Sequence, residues 1–162
     1  MNLRVDEAGP DEAPILRNLG ELYVHDFSEF TLIELNVDGR FDRDLWHGCW
    51  AGDQTPYLFR VDGHLAGFAV VGTGSRISED PSVHDMAQFF VVRRYRRHGI
   101  GTRAAADLFK LRPGTWEVRE IAGNDAALRF WRNAIGAYTG NAFDEFIVDT
   151  ERWRGCVQRF VA

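Results

Sequence analysis

Only two cysteines, Cys49 and Cys156, occur in 162 residues. That excludes a disulfide framework and a structural zinc site. Neither cysteine stands in a His/Asp constellation, so nothing marks a cysteine nucleophile. No apolar run approaches membrane-spanning length, and the N-terminal stretch MNLRVDEAGPDEAP has no apolar signal core. The expectation is a cytoplasmic protein with free thiols. No Gly-x-x-x-x-Gly-Lys-Ser/Thr run is present, which excludes a Walker-type phosphate loop. Positive charge does not dominate either. The formal net charge is −5 and the pI is near 5.5, which argues against general nucleic-acid binding. A mildly acidic surface is compatible with a cationic amine substrate. Repeats, low-complexity tracts and interdomain linkers are absent, so residues 1–162 read as one domain.

What is present is enough to build a core. Apolar residues make up 45% and aromatics 13% of the chain, so it folds rather than remaining disordered. Leu3–Val5 reads as a first strand. Ile15, Leu16, Leu19, Leu22, Tyr23 and Phe27 follow a helical period, with Pro14 in the first turn. Phe41–Trp50 reads as a second short helix. Tyr57–Val61, Asp62-Gly63 and His64–Val71 form the clearest hairpin signal. Val83–Val92 reads as a strand, Gly101–Leu111 as a helix stopped by Pro113-Gly114, and Thr115–Ile121 as a strand. Asn124–Ile135 is a helix with Asn124 as its cap. Ala142–Val148 and Trp153–Val161 close the chain as strands.

The densest chemical signal runs from Gln88 to Ala104, QFFVVRRYRRHGIGTRA. An apolar strand leads into Arg93, Arg94, Arg96, Arg97 and His98, then Gly99-Ile100-Gly101, and then a helix start. Glycines let the backbone approach an anion closely. Free N–H groups at the helix start point at it, and arginines add charge-assisted hydrogen bonds. The segment therefore reads as a phosphate-binding loop. Gly99-x-Gly101-x-x-Ala104, with Glu120 downstream as a ribose-binding acid, also fits the loose Rossmann fingerprint. A nucleotide-binding protein of that kind remains an alternative.

Arg96-x-x-Gly99-x-Gly101 resembles the signature with which the GNAT N-acetyltransferases grip the pyrophosphate of coenzyme A. Val91 and Tyr95-Arg96 stand where that family often has Val-x-Pro-x-Tyr-Arg, with Arg93 in place of the proline. Further on, Asn124, Ala127, Phe130, Trp131 and Gly136 resemble the family's second signature, with tryptophan at the usual tyrosine. The resemblance implies an α/β fold, a mixed central sheet of about seven strands with about four helices, splayed between two parallel strands. It also implies acetyl-CoA as cofactor and a primary amine, on a small molecule or a peptide, as acceptor. Attack would be direct, in a ternary complex. Neither a nucleic-acid nor a membrane partner is expected. A homodimer would pair the aromatic C-terminal strand, with Trp153 and Phe160, across subunits.

The same resemblance assigns residues. The backbone at Phe90, Val91 and Val92 would hold the pantetheine arm, with a Val91 N–H near the acyl oxygen. Arg96, Arg97, His98, Gly99, Ile100, Gly101 and Thr102 would surround the pyrophosphate, and Asn124, Phe130 and Trp131 would complete the cofactor site. Strand alternation puts Asp85 on one face with Ala87, Phe89 and Val91. Asp85 is the first candidate for general base and His84 the second. Gln88 faces the other way unless a bulge intervenes. Trp131 offers an N–H donor but no useful acid, and Tyr138 is the candidate substitute. Tyr23, Asp26, Phe27 and Glu29, with Gln88, are the acceptor-site candidates, the acids holding an ammonium beside aromatic faces. The strand and loop also look like those of diamine acetyltransferases, but Ala87 and Gln88 stand where those enzymes carry acids. A module that binds acyl-CoA without transferring the acyl group is the other alternative.

Overall fold

The computed structural model describes residues 1–41 and 43–162. Seven strands form one sheet in the order β1-β2-β3-β4-β5-β7-β6. They are β1 (Leu3–Glu7), β2 (Gln54–Val61), β3 (His64–Thr73), β4 (His84–Val91), β5 (Thr115–Ile121), β6 (Phe143–Asp149) and β7 (Arg154–Val161). Among the described residues three α-helices join them: α1 (Ala13–Phe27), α2 (Ile100–Leu111) and α3 (Asp125–Thr139). Among the described residues of Phe41–Trp50 the expected helix does not form. Its described residues are turns and irregular backbone closed by a bridge from Cys49 to Gln54, and position 42 lies outside the described residues.

The local reasons for these elements are plain. Asp62 and Gly63 both take positive φ, the geometry of a two-residue hairpin turn, and join β2 to β3. β3 is buried from Ala66 to Gly72, as befits a central strand covered on both faces. Helix α2 turns Ile100, Ala104, Ala105, Leu108 and Phe109 inward at helical spacing. They meet Trp116, Val118, Trp131 and Ile135 in one half of the core. The other half lies under α1, where Leu16 and Leu19 pack on Leu58, Phe68, Val70 and Phe90.

Two irregularities in β4 set up everything that follows. First, β4 pairs in parallel with β5 over only three positions, from His84 with Trp116 to Met86 with Val118. Beyond that the two strands part, and their facing edges lack strand partners among the described residues. Second, the register of β4 against β3 slips between Val70 and Val71, so that Gln88 faces Val70 and Met86 faces Val71. Ala87 is the extra residue of a β-bulge. Simple alternation therefore fails here. Asp85 and Ala87 lie on the α1 face, Gln88 joins them across from Val70, and Phe89 and Val91 pack on the α2–α3 face.

Candidate active site

The basic loop after β4 is built as its sequence implies. Arg97 and Gly99 both take left-handed backbone, with φ of 62° and 73°. Alternating backbone hand turns successive N–H groups inward and makes a concave anion cradle. Gly99 is the N-cap of α2, and no side chain caps the helix. The first N–H groups of α2 thus remain available, with the helix dipole behind them. Gly101 leaves little room for a side chain: a Cβ there would stand 3.1 Å from the Phe130 ring. Arg97 makes no hydrogen bond or ion pair among the described residues. Arg96 is already engaged, its Nε donating to the Val91 carbonyl at 2.6 Å and its Nη2 to Asp26 at 2.5 Å.

From this loop a cleft of about 500 Å³ runs along the end of β4, between α1 and α3. Among the residues expected to bind the cofactor, Phe90, Val91, Arg96, Arg97, Gly101, Asn124, Phe130 and Trp131 line it. Val92, His98, Ile100 and Thr102 do not, and Ile100 is wholly buried in the core. The Val92 N–H donates to the Ala66 carbonyl at 2.8 Å. Alternation then points the Val91 N–H the other way, into the gap beside β5. Asn124 caps α3 by accepting the Ala127 N–H at 3.1 Å.

A second cavity, of about 530 Å³, passes through the sheet where β4 and β5 part. Tyr23, Phe27, Phe89, Asn124, Ala127 and Trp131 line both spaces and form their common wall. Trp131 packs edge-on against Phe89, with ring centroids 4.8 Å apart. Its indole N–H makes no hydrogen bond among the described residues. Gln88 lines this second cavity, placed there by the bulge. Tyr23 stands edge-on to Phe68 and Phe90. Burial pushes its hydroxyl up to about 12, slightly offset by the charge of Arg119, so it is a hydrogen-bond donor at any working pH.

Five residues expected at the catalytic or acceptor site do not line the through-sheet cavity. Asp85 is 1% exposed and gripped by both prongs of Arg119, at 2.7 and 2.8 Å, so its lone pairs are committed and it lines neither space. The bulge is the reason, because it turns Asp85 away from the face of Phe89 and Val91. His84 sits at the far end of β4, its ring against Trp116 and its Nε2 3.3 Å from the Pro113 carbonyl. Tyr138 packs on Phe109, two helical turns beyond Trp131, or about 10 Å along α3. Asp26 and Glu29 line the cleft of the basic loop and not the through-sheet cavity. Asp26 is held by Arg93 and Arg96. Burial opposes its charge, but those guanidinium hydrogen bonds prevail and keep its pKa below the ordinary value.

The residue best placed for proton transfer is one that sequence reading gave a different role. Glu120 is 4% exposed, lines the through-sheet cavity, and neither carboxylate oxygen has a hydrogen-bond partner among the described residues. Burial, then the neighbouring Glu145 carboxylate, push it up to about 8, against the pull of Arg132. Perturbed carboxyls in clefts mark functional sites. A signal was present in the sequence: Trp116, Val118 and Glu120 alternate on the core face of β5, and an acid occupies the third inward position.

No curated protein matches the sequence. An acetyltransferase from Thermus thermophilus is 14% identical, with a TM-score of 0.70 over 100% of this chain and 98% of that one. PaiA N-acetyltransferase from Thermoplasma acidophilum, solved with coenzyme A, is 10% identical, with a TM-score of 0.66 and full coverage of both chains. The aminoglycoside acetyltransferase AAC(6')-Ib, solved with coenzyme A and kanamycin, is 14% identical, with a TM-score of 0.71 over 99% of this chain and 95% of that one. These likenesses show the fold. The sequence profile of the acetyltransferase (GNAT) family matches residues 17–137, from the first helix through the loop to the end of α3, and the chain belongs to that family.

Proposed function

We propose that this protein transfers the acetyl group of acetyl-CoA to a primary amine, with Glu120 as general base. One observation carries the reading. The cleft from the anion-binding loop shares a wall with a second cavity lined from both faces of the sheet, and Glu120, whose buried carboxyl has no hydrogen-bond partner among the described residues, belongs to the lining of that cavity. The residues fit a nucleotide thioester: a left-handed basic loop at a helix start for the pyrophosphate, an unpaired strand edge for an amide-bearing arm, and the Phe89–Phe130–Trp131 aromatics for its apolar part. Acetyl-CoA supplies the activated acyl thioester.

The protein does the rest. Arg97 and the first N–H groups of α2 hold the phosphates. The gap-facing N–H of Val91 is a donor available to the acyl oxygen. Glu120 takes one proton from the incoming ammonium, and the freed nitrogen lone pair forms the new N–C bond as the C–S bond breaks. That bond's electron pair stays on sulfur, and the second nitrogen proton is lost to solvent. Tyr23 is too weak an acid to protonate a thiolate outright. Its O–H and the Trp131 N–H serve as hydrogen-bond donors, and an acidic thiol leaves without further help.

The test is acetyl-CoA binding by calorimetry on the wild type and on Gly99→Glu/Gly101→Glu, with NADPH as control. Thiol release is then followed with amines. Micromolar binding abolished in the variant, together with amine-dependent thiol release, is the expected result. Failure of the wild type to bind acetyl-CoA overturns the reading.

A further inference from the structure

Resting on that reading of the site, we propose that the acceptor amine also carries a carboxylate, and that Arg119 is the residue that recognises it. The through-sheet cavity is rich in donors. Arg119 commits Nε and Nη2 to Asp85, but Nη1 makes no hydrogen bond among the described residues. The side chain is otherwise fixed. Asp85 holds one edge, and the Trp153 ring lies 4.5 Å from its guanidinium carbon. Such clamping removes the entropy cost that a free arginine pays on binding a ligand.

The charge around it does not cancel. Asp85 is shared between Arg119 and Arg76, whose Nη2 is 3.7 Å away, so this trio carries net positive charge. Tyr23 and Gln88, both able to donate hydrogen bonds, line the same space. Arg43 adds a second cation to the lining. On the acidic side, Asp44 is 70% exposed and turned to its own loop, accepting the Trp46 N–H. Glu120 is required for the proton. A polycationic amine finds no ring of carboxylates here. An amine with one carboxylate finds a preorganised guanidinium for its anion and Glu120 for its ammonium. Phe27, Ile33, Leu45 and Trp153 supply apolar wall for the rest of the acceptor.

The experiment compares matched acceptors on the full protein with acetyl-CoA. Straight-chain ω-amino acids of increasing length, able to span from one face of β5 to the other, are paired with their carboxamides, and spermidine and kanamycin serve as polycationic controls. Thiol release gives kcat/KM for each. The acid of a productive pair is expected to exceed its amide by about tenfold or more, the scale of one charge-assisted hydrogen bond. Arg119→Gln alone strands a buried Asp85, so the informative variant is the double Asp85→Asn/Arg119→Gln. In it the acid-to-amide ratio falls to about one, while calorimetric acetyl-CoA affinity is unchanged. Amides equal to acids, preference for spermidine or kanamycin, or acetyl-CoA binding with no amino acid accepted would each overturn the proposal and leave the cofactor site standing. Loss of acetyl-CoA binding by the wild type would instead overturn the transferase reading itself.

Discussion

Asp85 and Arg119 meet across the seam where β4 and β5 part, two hydrogen bonds joining a carboxylate and a guanidinium that are both almost wholly buried. Such a pair is fixed less by its net strength than by the cost of breaking it. Asp85→Asn is expected to lower stability by about 3–5 kcal/mol, and the double Asp85→Asn/Arg119→Gln by less than the sum of the two single changes. Urea denaturation of the four proteins reads this directly. The pH midpoint of kcat/KM should not move in Asp85→Asn, because the base we propose is Glu120.

Glu120 should govern the pH dependence of both rate and stability. Its carboxyl is raised from the ordinary 4.5 to about 8, so the ionised base accumulates as pH rises through 8 and kcat/KM should rise with it. Glu120→Gln should abolish that rise and cost about 100-fold or more in rate. Stability runs the opposite way. A raised carboxyl pKa favours the neutral form in the fold, so stability is full below about 4.5, declines towards 8, and is lower by on the order of 4–5 kcal/mol beyond. Thermal unfolding between pH 5 and 9 should show this slope in the wild type. A parallel slope in Glu120→Gln would assign it to other groups.

At the basic loop two glycines should fail differently. Gly99 has left-handed backbone and open space around its missing side chain. Gly99→Ala should therefore cost about 1–2 kcal/mol of stability with little steric effect on binding. Gly101→Ala meets the Phe130 ring and should displace it. The expected signature is weaker acetyl-CoA affinity with smaller change in stability, read by calorimetry beside denaturation.

Tyr23→Phe and Tyr138→Phe separate a residue at the site from one expected there and found elsewhere. Tyr23 makes no hydrogen bond among the described residues, so its removal should change stability by no more than about 0.5 kcal/mol. It should lower kcat by about tenfold, the cost of losing a hydrogen-bond donor at the site. Tyr138→Phe should leave kcat untouched.

Local features were legible in the chain, and those made by distant contacts were not. Gly99, Gly101 and the Asn124 cap act through neighbouring backbone, so residue type and spacing sufficed. The Asp62-Gly63 hairpin is of the same kind. The pairing of Asp26 with Arg93 and Arg96 joins residues 67 and 70 apart, and no local pattern encodes it. Glu120 becomes a partnerless acid only after β7 and α3 close over it. Asp85 was misplaced by counting alternation through a strand that carries an extra residue. Phe41–Trp50 has helical composition in part, but Gly48 takes a φ of 83° and the segment closes onto β2 instead.

The extra residue at Ala87 makes β4 behave as two strands spliced out of phase. Before the splice, odd-numbered side chains look towards α1; after it, even-numbered ones do. A deletion of Ala87 would not trim a loop but restore a single parity, exchanging chamber wall for core along one half of the strand. The reading frame of this strand is thus itself a functional element, invisible to any scan that replaces side chains one at a time and open only to changes in length.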